Sequence, residues 1–421
     1  MTKESPMKVL FAGVLCAMFS GVEATNGYSP TGFGTASKGL AGAGVALPLD
    51  AMTAATNPAA AVDVGSRVDA GIGLFAPDRG FTAETAGPIA VGDHDSRNDL
   101  FWIPHAGWNK ALDADRSIGI LLGANGGMNT EYDSAVWQAF NNPAGTASSP
   151  TGVDFSQLFV GFNYSQRINA AHSIGIMPVI AVQRFKAEGL EPFQAFSVSP
   201  TKVTNNGYDY SWGYGVRLGW LGRFGDRLSV GAAAQSRLHM TKFDKYEGLF
   251  AEGGDFDVPP TVMLGLAYKA TPTVTLVADW QRIFYSDIAS LHNPNDSPLG
   301  PTTFLGADDG LGFGWNDIDI LKLGVQWEYH PKLTLRAGFS HANQLFENGQ
   351  ALFNVLAPAT VRTHASLGMT YRVDEDSAFT VAYTRAFREE ISGTSPLTGT
   401  QQGSVWMDQH ELEVSWSWAF D

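Results

Sequence analysis

YSWGYGVRLGW, Tyr210–Trp220, alternates at every step. Trp212, Tyr214, Val216, Leu218 and Trp220 share one face, and Ser211, Gly213, Gly215, Arg217 and Gly219 share the other. A period of two is the side-chain period of a β-strand. A soluble sandwich strand alternates as well. Here the apolar face is strongly aromatic, while the opposing face carries small residues and an Arg. That division fits a wall with lipid on one side and a crowded polar lumen on the other.

The same pattern recurs in fourteen segments, with cores at 67–75, 101–109, 117–127, 156–166, 173–183, 210–220, 227–237, 261–269, 273–282, 319–329, 333–341, 361–371, 377–386 and 409–420. Each approaches the ~9–11 residues that cross a bilayer at a tilt. The connections sort into two kinds. KALDADRS, INAAH, LGRFGD, KATPT, HPK and VDEDS are short, and the stretches between them are long. Short turns at one end and long loops at the other are the habit of an outer-membrane barrel. Trp108, Tyr164, Trp220, Tyr268, Tyr329, Tyr371 and Trp418 sit on the apolar parity just before the short-turn end. Such a girdle is expected where strands leave the lipid. The fold expected is all-β, a transmembrane antiparallel barrel of about fourteen strands.

Bulk composition agrees. A mean hydropathy of -0.06 does not argue against a barrel, because alternating strands average out. The formal charge of -15 argues against nucleic acid, which needs clustered Lys and Arg. Lys3 and Lys8 precede an apolar run from Val9 to Phe19, and Val22-Glu23-Ala24 follows as a small-residue cleavage site. Residues 1–24 therefore read as a secretory signal peptide. The only Cys, Cys16, lies inside it, so the mature chain is expected to have neither a disulfide nor a Cys-based metal site.

GYSPTGFGTASKGLAGAGVALPLDAMTAATNPAA, ahead of the first strand, is small-residue rich with no core of its own. With Asn57-Pro58-Ala59 in it, with VPPTVMLGLAYKATPTVTLVADW and WNDIDILKLGVQWEYHPKLTLRAGFS further on, and with the last strand ELEVSWSWAFD, the chain resembles the FadL family of outer-membrane transporters. The resemblance implies a hatch, or plug, at 25–66 inside a barrel formed by 67–421. It implies passive uptake of long-chain fatty acids or other hydrophobic compounds such as alkanes and aromatics. Ligand would be caught among apolar outer loops, and would leave sideways at an inward kink of the third wall strand. It also implies a monomer in contact with outer-membrane lipid and lipopolysaccharide, without cofactor.

Carried onto this sequence, Asn57, Pro58 and Ala59 become hatch or gating residues, with a simple turn as the alternative. Gly126 and Gly127 become the kink, since Gly inside a strand marks a bulge or bend. Leu190, Phe193, Phe196, Leu249 and Phe250 become a capture surface, or else the core of their own loops. Arg217, Arg237, Lys322, Arg336 and Arg362 fall on lumen parity and could hold a carboxylate, or else pair with lumen acids such as Asp279, Glu328, Glu411 and Glu413.

Two other function classes compete. A general porin would need an open lumen with charged rings, which the segment before the first strand opposes. A lipid hydrolase would need a nucleophile and base such as Ser366 and His364, but no third member is evident. The loop NPNDSPLGPTTFLGADDG has oxygens but no trusted Ca²⁺ spacing, and the nine His residues form no metal pattern. Neither catalysis nor a metal is expected.

Overall fold

The computed structural model describes residues 25–87, 89–133, 136–137, 147–394 and 401–421. The expected signal segment lies outside them. The wall strands are β1 (Arg67–Ala83), β3 (Phe101–Ala111), β4 (Arg116–Tyr132), β5 (Thr151–Arg167), β6 (His172–Glu188), β7 (Asp209–Phe224), β8 (Leu228–Gln235), β10 (Thr261–Lys269), β11 (Val274–Ile283), β12 (Ile318–His330), β13 (Leu333–Ala342), β14 (Thr363–Arg372), β15 (Ser377–Thr394) and β16 (Gln402–Ala419). Two short strands, β2 (Gly92–Asp95) and β9 (His239–Met240), pair with β1 and β7 outside this ring of fourteen. Around the ring every ladder is antiparallel and joins successive wall strands, and β16 closes onto β1 from Arg67↔Ala419 to Ala83↔Gly403. The result is a closed barrel, the architecture that leaves no sheet edge in lipid. None of the described helices is long and apolar enough to cross a membrane.

The alternation read from the sequence decides which side chains face which way. On β7, Trp212, Tyr214 and Leu218 are exposed while Ser211 and Arg217 are buried. Leu264 and Leu266 of β10, Leu321 and Leu323 of β12, and Leu367 of β14 extend the exposed apolar band around the ring. Toward the short turns the band ends in exposed Tyr268, Tyr329, Tyr371 and Trp418. Several strands rise well beyond the expected cores. β1 runs on to Ala83 and β15 to Thr394, so segments read as loop carry paired backbone above the apolar band. In the other direction β8 stops at Gln235, two residues short of Arg237.

Residues 25–62 are buried almost throughout and lie inside the ring. They contain one short α-helix, Thr35–Lys38, and two 3-10 segments, Ala51–Ala55 and Pro58–Asp63. A chain of small residues needs no core of its own here, because the inner wall supplies one. At the long-loop end the lumen is roofed by a second core of large side chains. Tyr28 from the N-terminal segment joins Phe155, Phe256, Tyr285 and Trp315 there, with ring centroids 5.6 to 6.2 Å from its own.

Candidate functional site

The ladder between β3 and β4 is incomplete. It runs from Ala111↔Ser117 to Ala106↔Leu122 and stops there. Above that point Phe101–His105 pairs only with β1, and Gly123–Tyr132 only with β5. The divergence coincides with a bulge. Ala124 faces Leu158 and Gly126 faces Gln157, so Asn125 is an extra residue in β4. An extra residue bends a strand and exchanges its two faces. Below the bulge Ser117 and Leu121 point inward; above it Met128, Thr130 and Tyr132 are the buried ones. Gly126 adopts φ 140°, a backbone that favours glycine. The Gly127 N–H donates to the Tyr28 carbonyl at 3.1 Å, so the N-terminal segment takes the place of the missing strand.

The gap is closed again higher up. The Ser96 N–H donates to the Arg79 carbonyl at 3.0 Å and the Arg97 N–H to the Glu131 carbonyl at 2.9 Å, tying β1 to β4 above β3. The wall thus contains a bounded window between β1, β3 and β4. Behind it lies about 310 Å³ of empty space lined by Phe75, Phe101, Met128, Ala359, Met407 and Arg79, among others. Arg79 reaches across. Its Nε donates to the Asn129 carbonyl at 2.6 Å, its Nη1 to the Pro77 carbonyl at 3.2 Å and its Nη2 to Asn129 Oδ1 at 3.3 Å.

Two of the five candidate cations meet at one cavity. About 500 Å³ of empty space above the N-terminal segment is lined by Phe33, Met263, Pro259, Ile283, Arg217 and Lys322, among others. The Lys322 ammonium donates to the Thr31 carbonyl at 2.8 Å. The Arg217 guanidinium is 5.4 Å from the centre of the Phe33 ring and 5.8 Å from that of Phe159. Its Nη2 donates to Gln235, while Nε and Nη1 are buried without a hydrogen-bond partner. A buried cation with unused donors is costly unless something supplies the missing partner.

The other three are placed differently. Arg237 lies past the end of β8 and is engaged by Asp257 at 2.6 Å and Asp255 at 3.2 Å. The Asp255 carboxyl, in the loop above the wall, is raised to about 6 by burial and then by the charge of Asp257. Arg362 pairs with Glu389 at 3.0 Å. Arg336 donates to Gln326 and Thr370 at 2.8 and 2.7 Å, and faces a polar cavity at the short-turn end with about 960 Å³ of empty space.

Asn57, Pro58 and Ala59 are pinned to the wall near the short turns. The Asn57 amide donates to the Val45 carbonyl at 2.8 Å and the Trp220 carbonyl at 3.0 Å, and its Oδ1 accepts the Ala59 N–H at 3.1 Å. Ser165 donates to the Pro58 carbonyl at 2.6 Å. The inner faces of Gly175 and Gly219 touch this turn, and a methyl group on either would overlap Pro58 or Asn57. The rest of the N-terminal segment is held by charge. Lys38 pairs with Glu413 at 2.8 Å and also with Glu411, and Glu413 accepts from Thr35 at 2.8 Å. Asp279 accepts the Gly44 and Val45 N–H groups at 2.6 and 3.0 Å.

The sequence profile of the outer membrane protein transport protein family (OMPP1/FadL/TodX) matches residues 16–412. The chain belongs to this family. Among solved structures it is similar to a Pseudomonas aeruginosa FadL homologue at 16% identity, covering 94% of this chain and 100% of that one, with a TM-score of 0.70. It is also similar to the Pseudomonas putida toluene transporter TodX, at 19% identity, 94% and 100% coverage and a TM-score of 0.68. The Ralstonia pickettii toluene transporter TbuX follows at 16% identity, 93% and 99% coverage and a TM-score of 0.64. At these identities the likeness is one of fold. No curated protein matches by sequence.

In this OMPP1/FadL/TodX member the five apolar loop residues pack inward. Leu190, Phe193, Leu249 and Phe250 are buried in the roof and Phe196 packs against it. Phe193 meets Phe353 at 5.3 Å and Phe250 meets Phe185 at 4.7 Å between ring centroids. An apolar cavity toward the long-loop end, with about 380 Å³ of empty space, is lined instead by Phe81, Ile89, Ala351, Val355 and Val405, among others. Phe81 and Val405 fall in stretches expected to be outer loops; the signal that would have found them is that they keep the inward parity of β1 and β16. His364 and Ser366 turn to different partners, Ser340 at 3.3 Å and Thr384 at 2.9 Å. Among the described residues no group of His, Cys, Asp and Glu could hold a metal ion.

Proposed function

We propose that the protein is a passive outer-membrane channel for long-chain fatty acids or other hydrophobic compounds. It is delivered by a signal peptide ending at Ala24 and works as a monomer. Ligand collects at the apolar outer cavity and the loop roof around Leu190, Phe193, Phe196, Leu249 and Phe250. It then occupies the space beside Arg217 and Lys322, where a carboxylate would satisfy the unused guanidinium donors. Residues 25–66 act as a hatch turning about Asn57-Pro58-Ala59, and the ligand leaves sideways at the Gly126–Gly127 kink into the lipid. The observation that carries this reading is the bounded window between β3 and β4, backed by an apolar cavity. Membership of a transport family supports it, as do folds shared with toluene transporters. The filled lumen argues against a general porin for polar solutes.

The test is uptake by the reconstituted protein of labelled oleate, an alkylbenzene and a small sugar. Uptake of one or both hydrophobic probes without sugar flux is expected. Sugar flux alone would sink the proposal. Deleting Asn125 removes the extra residue of the bulge, and is expected to stop hydrophobic uptake while the barrel still folds. Unchanged uptake in that variant would refute the lateral exit.

A further inference from the structure

Arg79 fits neither the hatch nor the wall. It sits on the inward parity of β1 and is 3% exposed. Its three hydrogen bonds run to two carbonyls and one side-chain amide oxygen, all neutral. A guanidinium has five N–H donors, so two remain beyond those bonds. No carboxylate of the described residues forms an ion pair with it; Asp78 and Asp99 act only through their fields. Lys38, Arg237 and Arg362 each have an acid within 4 Å.

Apart from Asn129, the cavity beside Arg79 is lined by apolar side chains. Its guanidinium carbon is 5.6 Å from the Phe101 ring centre, and Phe75, Met128, Ala359 and Met407 line the same cavity. An apolar chamber with one cation that lacks a counter-ion is complementary to an amphiphilic anion: a hydrocarbon body with a carboxylate at one end. Arg79 also lies in the frame of the window, since its carbonyl accepts the Ser96 N–H that closes the upper edge.

We propose that Arg79 is a specificity-determining residue of the exit, holding the carboxylate of a hydrophobic acid as its tail enters the window. This rests on the lateral-exit reading above. An acid then exchanges the neutral partners of Arg79 for its own charge, and releases the bridge from β1 to Asn129 as it does so. A neutral hydrocarbon of the same length offers no such exchange.

The experiment compares oleate with oleyl alcohol, which share a tail and differ at the head. Both are supplied to proteoliposomes holding the wild type, Arg79→Gln or Arg79→Lys. In Arg79→Gln oleate flux is expected to fall about tenfold or more, with oleyl alcohol within about twofold of wild type. Arg79→Lys keeps the charge and is expected to recover part of the oleate flux. Equal changes for the two substrates, or no change for either, would overturn the assignment. A wild-type measurement guards against a variant that does not fold. A fatty acid carrying a diazirine in its tail is expected to label Phe101, Met128 or Met407, and labelling confined to other sites counts against the proposal. The Asn125 deletion separates the two levels. If it stops both substrates while Arg79→Gln fails to discriminate, the role of Arg79 alone is lost. If it leaves both fluxes intact, the exit itself is lost and Arg79 with it.

Discussion

Two seams join neighbouring strands of the same wall, and they behave in opposite ways. Between β1 and β16 the ladder is continuous along the whole of β1. Between β3 and β4 it ends at Ala106↔Leu122, although both strands continue. Unpaired backbone in a lipid-facing wall is costly, so an open seam needs other partners. Here they come from the Tyr28 carbonyl, the Arg79 side chain and the Ser96–Arg97 backbone. The N-terminal segment is also fastened unequally. It meets the closed seam through the buried pairing of Lys38 with Glu411 and Glu413, and the β3–β4 side through neutral hydrogen bonds alone: Asn109 to the Ala61 and Gly65 carbonyls and, above the end of the ladder, Gly127 to the Tyr28 carbonyl. A single inserted residue, Asn125, therefore separates a sealed junction from one lined by replaceable contacts.

The strongest way to erase the difference is to delete Asn125. The β3–β4 ladder is then expected to extend past Leu122, and hydrophobic uptake to drop more than about tenfold, the scale of losing a required step. Heat-modifiable gel mobility would establish that the barrel still forms. The next largest effect belongs to the closed seam. Lys38→Met leaves Glu411 and Glu413 buried without their cation, at a cost of about 3–5 kcal/mol. Chemical unfolding and single-channel conductance would register this as lower stability and a leak of small ions. A variant as tight and as stable as wild type would contradict the anchoring role of Lys38.

At the open seam, Gly126→Ala forces a Cβ into the Tyr28 carbonyl at a φ that alanine avoids. A loss of about 1–3 kcal/mol is expected, centred on the N-terminal end of the lumen segment. Hydrogen exchange of residues near Tyr28 would locate it; protection unchanged there would disprove the coupling between the bulge and the N-terminal segment. The smallest effect lies away from both seams. Asp255 is raised from 3.8 to about 6, so the folded loop favours its protonated form. The stability it contributes is fully present below pH 3.8 and is lost as the pH rises through about 6. Protease protection of the 244–258 loop should therefore increase slightly from pH 7.5 to 5 (roughly the span in which such a group titrates). Asp255→Asn should remove that dependence.

Much of this was legible because lipid and lumen impose a strict period of two on a long strand. The fourteen wall strands, the alternation of short and long connections and the exposed aromatics near the short turns all follow from it. Legibility fell where that constraint ended. Arg79 lies in a stretch read as outer loop, yet Phe75, Pro77, Arg79 and Phe81 keep the inward parity of β1. β2 and β9 are too short to carry a pattern. Arg217 and Arg237 looked alike in sequence, both cations on lumen parity. What distinguishes them is Asp255 and Asp257, which fold back onto Arg237 from further along the same β8–β10 connection. Gly126-Gly127 marked the bend, but the residue in excess is Asn125, and only the register against β5 reveals it.

The glycines facing Asn57 and Pro58 have one further consequence. The inner wall there is a cast of the N-terminal segment: relief on one surface answers a hollow on the other. Variation on the two surfaces is consequently linked. A bulkier residue at Gly175 or Gly219 is admissible only with a matching retreat in residues 57–59, although more than a hundred positions separate them in the chain. A foreign N-terminal segment grafted onto this barrel should then seat only when the strands that shaped it travel along.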